Sequence, residues 1–147
     1  MPTDTEIFTS KVALRWADID ANFHVRHTVF YDLGSEQRIR LLGELGAPLS
    51  DMQLNGYGPV LFREECRFLK EVKLEDSVQI TVSIRGLSKD HRKFGWRHVL
   101  ERNGETCAIV EVDGAWFDSR TRKVFVPPQQ VVDAMDRFPR SEDFVWI

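Results

Sequence analysis

Apolar positions along this chain follow two periods, one helical and one of two residues. Over 28–45, Phe30, Leu33, Gly34, Gln37, Leu41 and Leu45 fall on one face at helical spacing, which predicts a long helix of about 27 Å. Gly46 and Pro48 supply its stop. Ahead of it, over 8–16, Val12, Leu14 and Trp16 alternate with Ala13 and Arg15 and predict a first strand. Behind it the period is two. Val60, Phe62, Cys66 and Phe68 alternate with polar neighbours. Val78, Ile80, Val82 and Ile84 form the cleanest strand, and Phe94, Trp96, His98 and Leu100 form another. Asn103-Gly104 is a hairpin signal leading into 107–117, where Ala108, Val110, Val112, Gly114 and Trp116 share a face. A short strand at 124–126 ends at Pro127-Pro128, and 129–138 reads as a short helix. The apolar end, Phe144-Val145-Trp146-Ile147, suits packing on the body or on another subunit.

The order is one strand, one long helix, then at least four mostly antiparallel strands. A sheet with one apolar face needs cover, and the long helix is the only element large enough to give it. The expected fold is α+β, an antiparallel sheet wrapped around a long central helix. Neither a linker nor an internal repeat divides the chain, so 1–147 reads as a single domain.

Charge removes some functions. Lys plus Arg is 20 and Asp plus Glu is 23, a net −3, without the basic excess of a general nucleic-acid binder. Cys66 and Cys107 form no CxxC pair, so a zinc ribbon is excluded, and both read as reduced thiols on strands. The N-terminal six residues lack an apolar core, and no apolar run approaches a membrane span. The expectation is a cytoplasmic chain.

Polar residues are densest between the first strand and the helix, in Arg15-Trp16-Ala17-Asp18-Ile19-Asp20-Ala21-Asn22-Phe23-His24-Val25-Arg26-His27-Thr28. This loop feeds a helix N-terminus, where unpaired N–H groups and a partial positive charge can hold an oxyanion. Three readings stand side by side. Asp20, His24 and His27 suit a transition metal, although a calcium loop is excluded by Phe23 and Val29 at its glycine and glutamate positions. Asp and Asn side chains suit helix capping, with the histidines as ordinary loop residues. An Asp beside helix amides suits catalysis on a carbonyl. Phosphate-binding glycine loops and a GxSxG nucleophile turn are absent.

Asp18-Ile19-Asp20-Ala21-Asn22-Phe23-His24-Val25, with Glu36 and Arg38 in the helix, resembles the hotdog-fold acyl-CoA thioesterases of the 4-hydroxybenzoyl-CoA thioesterase type. Those proteins typically read D-x-D-x-x-G-H-V-N-N, then a helix with E-x-R. Phe68-Leu69-Lys70-Glu71-Val72-Lys73-Leu74-Glu75-Asp76, Trp116-Phe117-Asp118 and Val126-Pro127-Pro128 resemble later blocks of the family, in the same order. The resemblance runs from about Val12 to Met135. It implies a hotdog fold, a homodimer or homotetramer with active sites at subunit interfaces, an acyl-CoA substrate, and no metal or redox cofactor. The second Asp of the motif, the usual catalytic carboxylate, falls on Asp20. The helix-start amide that polarises the thioester carbonyl falls on His27. His24 either orients Asp20 or bonds to backbone, and Asp18 braces the loop. Asn22, Phe23, Tyr31, Gly34 and Val60 complete the substrate-binding set.

The chain departs from the pattern at Phe23, where the family has Gly, and at Arg26-His27, where it has Asn-Asn. Gly34 sits where members of the resembled family often carry a larger apolar residue. The residue pattern favours close packing onto a neighbouring backbone, and the resemblance adds an enlarged acyl pocket. Lys89, His91, Arg92 and Lys93 form a basic turn, read as solvated before it is read as a seat for the phosphates of CoA. Tyr31 and Glu36 read as facing the cleft, or Glu36 and Arg40 as a surface pair. Two alternatives remain: an acyl-carrier-protein thioesterase, and a non-catalytic acyl-CoA-binding module, against which Asp20 speaks.

Overall fold

A computed structural model describes residues 4–147. The N-terminal stretch read above as lacking an apolar core begins outside these residues. After a short turn of helix, α1 (Asp4–Ile7), come β1 (Thr9–Lys11), the long helix α2 (His27–Glu44) and a shorter one, α3 (Leu49–Asn55). The remainder is β2 (Tyr57–Phe68), β3 (Val78–Leu87), β4 (Lys93–Arg102), β5 (Glu105–Asp118), β6 (Lys123–Val124), α4 (Gln129–Asp136) and β7 (Arg140–Trp146). The strands form one curled sheet in the order β1-β3-β4-β5-β2, antiparallel throughout this path, with α2 as the helix at its centre. This is the hotdog arrangement. No helix among the described residues is long and apolar enough to cross a membrane.

Alternation explains the core. Val78, Ile80, Val82 and Ile84 are all buried, as are Phe94, Trp96, His98 and Leu100 on the neighbouring strand. One cluster gathers Trp96, Trp116, Phe94 and Leu41 with α4, and a second gathers Val29, Phe30, Ile80 and Val110 near the start of α2. The hairpin between β4 and β5 turns through Asn103 and Gly104, with φ of 52° and 79°, the left-handed pair that Asn-Gly tolerates best. Cys107 is buried and Cys66 half-buried, and burial pushes the Cys66 thiol up to about 11, so it stays protonated.

The structure corrects two expectations and adds detail to two others. The strand expected over 8–16 is only Thr9–Lys11, because Arg15 and Asp18 fold Trp16–Asp18 into a tight 3-10 turn. Pro48 ends one helix but also caps the start of α3, which closes at Gly56 with φ 70°. In β2 the alternation slips at a bulge between Leu61 and Arg63, leaving Leu61 and Phe62 45% and 61% exposed. The apolar C-terminus is itself a strand: β7 runs parallel to β3, pairing Val145 with Gly86 and Trp146 with Leu87. Asp143 of β7 takes a two-pronged bond from Arg97 of β4, both contacts at 2.8 Å.

β2 ends the path. Among the described residues it pairs only with β5, so its other edge is open.

Candidate active site

The loop between β1 and α2 is built by its own polar residues. Asp18 is buried, and its carboxylate accepts the Arg15 backbone N–H at 2.9 Å and the Arg15 guanidinium at 2.8 Å. The Arg15 hydrogen bonds hold the Asp18 carboxyl below its ordinary value. The Asp18 carbonyl accepts the Arg26 N–H at 2.9 Å, closing the loop at its base. Above this, Ile19 and Val25 bridge antiparallel, and Asp20 N–H bonds the His24 carbonyl at 2.9 Å. Val25 N–H reaches the Val72 carbonyl at 2.7 Å and fastens the loop to the segment after β2. Asp18 therefore braces the loop, and Asp20 sits near its tip.

Asp20 Oδ1 accepts the backbone N–H of Asn22 at 2.9 Å and of His24 at 3.3 Å. Among the described residues nothing donates to Oδ2. Phe23, at the glycine position of the motif the loop resembles, adopts φ 64° and is 73% exposed. A left-handed bulky residue costs about 1–2 kcal/mol, of which glycine's extra unfolded-state entropy returns about half. Phe23→Gly is expected to raise the melting temperature by about 1–3 °C in calorimetry. A lower value would show that the ring itself stabilises the loop.

α2 starts at His27, and its N-cap residue Arg26 makes no side-chain capping bond. The capping role considered for Asp and Asn is therefore not filled. At the positive end of the helix the His27 and Thr28 N–H groups have no acceptor among the described residues, while the Val29 N–H bonds the Arg26 carbonyl at 3.1 Å. A groove of about 300 Å³ adjoins this end. It is lined by Asp20, His24, His27 and Phe30 on one side and by 68–72 on the other. The His24 ring faces Glu71, with Nε2 3.7 Å from Oε2, so His24 reaches Asp20 through its backbone rather than its ring. The structure thus brings Asp20, His24 and His27 into one groove. No cluster of three or more His, Cys, Asp or Glu suited to a metal forms among the described residues. A carboxylate with one oxygen open, beside open helix N–H groups, can deliver negative charge to a carbonyl carbon while its oxygen is held.

The other proposed substrate contacts lie elsewhere. Asn22 is exposed at the loop tip. Phe23 faces a neighbouring groove with Trp16, Ile19 and Leu74. Tyr31 is half-buried against the second core cluster. Val60 pairs with Ala115, between Pro59 and Leu61. Glu36 is exposed, and Arg40 pairs instead with Glu44 at 3.1 Å and Ser10 at 2.6 Å. The basic turn is tied to its surroundings: His91 bonds Asp136 at 2.6 Å, and Lys89 lies 4.0 Å over the Trp146 ring.

Gly34 packs closely, but onto a side chain. A Cβ there would lie 3.0 Å from Cδ2 of His98. His98 is fully buried on β4, and burial lowers its pKa well below 6.5. Its Nε2 lies 2.9 Å from Arg38 Nη1 and its Nδ1 2.8 Å from Gln37 Oε1. Arginine only donates, so Nε2 must accept and the proton sits on Nδ1. Gln37 then passes the chain to backbone through Nε2, at 2.9 Å to the Ile80 carbonyl and 3.3 Å to that of Phe8. Arg38 also lines a second groove between α2 and β2, of about 140 Å³. Sequence periodicity placed Gln37 and His98 on inward faces, but no local signal showed that they meet Arg38.

The model of the thioesterase-like superfamily matches residues 14–135. Among curated proteins none matches significantly. Among solved structures, a gentisyl-coenzyme A thioesterase is 24% identical with a TM-score of 0.75, covering 86% of this chain and 98% of that one. A 1,4-dihydroxy-2-naphthoyl-CoA thioesterase from Synechocystis is 16% identical with a TM-score of 0.79, covering 88% and 95%. A thioesterase from Thermus thermophilus, complexed with coenzyme A and Zn, is 22% identical with a TM-score of 0.72, covering 88% and 91%. At these identities the structural likeness is one of fold.

Proposed function

Because the chain belongs to the thioesterase-like superfamily, we propose that it hydrolyses an acyl-CoA thioester to free CoA and a carboxylic acid. The observation that carries this reading is one groove holding the Asp20 carboxylate beside the uncapped start of α2. The thioester carbonyl lies against the His27 N–H, which takes up the negative charge that develops on oxygen. Asp20 acts on the carbonyl carbon, as nucleophile or as general base to a water. The N–H groups of Asn22 and His24 aim it by holding Oδ1. His24 and Phe30 wall the groove, and no metal or redox group takes part. The residues 1–147 act as one unit in this reading.

A second copy completes the site. The open edge of β2 carries Leu61, Phe62 and Phe68, all about half exposed or more. An edge strand of this kind is a template for another strand. Antiparallel pairing of two β2 strands about a two-fold axis sets the first half of one beside the second half of the other. Asn22, Tyr31, Gly34 and Val60 then act in positioning substrate or its supporting walls, not by lining the Asp20 groove.

Free-thiol release across an acyl-CoA panel, from short aliphatic to long-chain and aromatic, tests the reading. The expected result is turnover by a dimer or tetramer, with mass read by light scattering. An absence of release across the panel, with acyl-CoA bound, would point to a binding module instead.

A further inference from the structure

The groove at the middle of α2 takes no part in the chemistry above. Its volume of about 140 Å³ is close to the ~150 Å³ that takes one benzene ring. Leu42, Leu61, Trp96 and Trp116 make its walls apolar. Its one charged group is Arg38, which is 7% exposed.

Arg38 is held but not neutralised. Its only hydrogen bond among the described residues goes to the His98 ring, and that ring is uncharged. None of those residues places a carboxylate within ion-pair distance; Glu64 on β2 acts from farther away. Burial pushes Arg38 down to about 10, so it is still a cation at neutral pH. Its remaining donors are not sealed in protein, since they do not figure among the enclosed, unbonded polar atoms. Buried charges are normally paired. The His98–Gln37 chain fixes the guanidinium to the backbone at Phe8, just before β1, and at Ile80 of β3, so the cation is set in place before any ligand arrives.

We propose that this groove receives the acyl group and that Arg38 binds a carboxylate at its end, so that the substrate is the half-thioester of a short dicarboxylic acid. The proposal rests on the hydrolase reading and its two-copy site, in which antiparallel β2 strands set this groove beside the partner's Asp20 groove. The volume suits about five or six carbons. A guanidinium and a carboxylate match in a two-pronged, charge-assisted bond, while the apolar walls take the methylenes.

Binding of two thioether analogues, which cannot be hydrolysed, tests this directly. One carries a six-carbon chain on the CoA sulfur ending in a carboxylate, the other the same chain ending in a methyl group. Calorimetry on the whole protein is expected to show the carboxylate analogue binding about 10–100-fold more tightly. Arg38→Gln should abolish that preference. Ser35→Glu, at an exposed position of α2 on the groove wall, should remove it by pairing a carboxylate with Arg38. The Ser35 variant and the wild type decide the matter if Arg38→Gln does not fold. Equal affinities in the wild type, or no binding of either analogue, would overturn the proposal. Thiol release separates the two readings. Hydrolysis of hexanoyl-CoA without any carboxylate preference keeps the hydrolase and removes this proposal. A carboxylate preference in binding without thiol release removes the hydrolase, and with it the substrate assignment, and leaves Arg38 only as a carboxylate-binding group.

Discussion

Asp20→Asn is expected to lower acyl-CoA turnover by about 10²–10⁴-fold, the usual contribution of a positioned base, while the protein melts close to the wild-type temperature. The geometry explains both halves. Asparagine keeps an oxygen at the Oδ1 position, so the N–H groups of Asn22 and His24 retain their acceptor. What is lost is the negative charge and the open Oδ2. Asp18→Asn is the informative contrast. That carboxylate is buried and bonded to Arg15 through both backbone and guanidinium, so its loss should lower the melting temperature as well as activity. One turnover in 18O-water then separates the routes. Label in an Asp20 peptide marks direct attack, with water opening the resulting anhydride at the Asp20 carbonyl; label only in the released acid fits an activated water or an anhydride opened at the acyl carbon, and trapping the anhydride with hydroxylamine tells these two apart. Turnover that persists in Asp20→Asn with a normal melt would move the chemistry off this residue.

His98→Leu should be the costliest single change in the core, at about 3–5 kcal/mol in urea unfolding. It strands Gln37 Oε1 and the Arg38 guanidinium, and each buried group without its partner costs about 1–3 kcal/mol, more when charged. The melting temperature should fall by roughly 8–15 °C. In Gln37→Leu/His98→Leu the loss should be less than additive by about 1 kcal/mol or more, because one stranded acceptor disappears. The same residue gives a pH signature. His98 is neutral when folded and has its ordinary value of 6.5 when unfolded, so between the two values the unfolded chain binds the extra proton. Its contribution is complete above pH 6.5 and declines as pH falls through that window, with a limiting slope of about 1.4 kcal/mol per pH unit. The paired carboxylates Asp18, Asp76 and Asp90 lose their contribution lower, below their ordinary value of 3.8. His98→Leu should remove the upper slope and keep the lower one. A wild type whose stability is flat from pH 6.5 to 5 would show that His98 is not held neutral by the fold.

Periodic packing was legible in the sequence; polar and long-range pairing was not. α2 runs over His27–Glu44 against an expected 28–45 because its buried face repeats every turn. The inward residues of β3, β4 and β5 were legible for the same reason. β7 was not, since Arg140, Glu142 and Asp143 hide its alternation and its partner Gly86 lies far back in the chain. The site divides similarly. Asp20, His24 and His27 are neighbours in sequence, so one loop had to carry them. The far wall at 68–72 is brought there only by the sheet. Arg38 and His98 stand 60 residues apart, and each alone reads as an ordinary inward position.

The contact between Gly34 and the His98 ring constrains how this sequence can drift. A side chain at 34 would displace the imidazole, and a different residue at 98 would leave Gln37 and Arg38 without their shared partner. The three positions 34, 37 and 98 should therefore exchange as a block among relatives. Homologues with a large apolar residue at the first should carry neither the glutamine nor the histidine. Intermediates with only one of the three changes should be rare, since each passes through the same destabilised core.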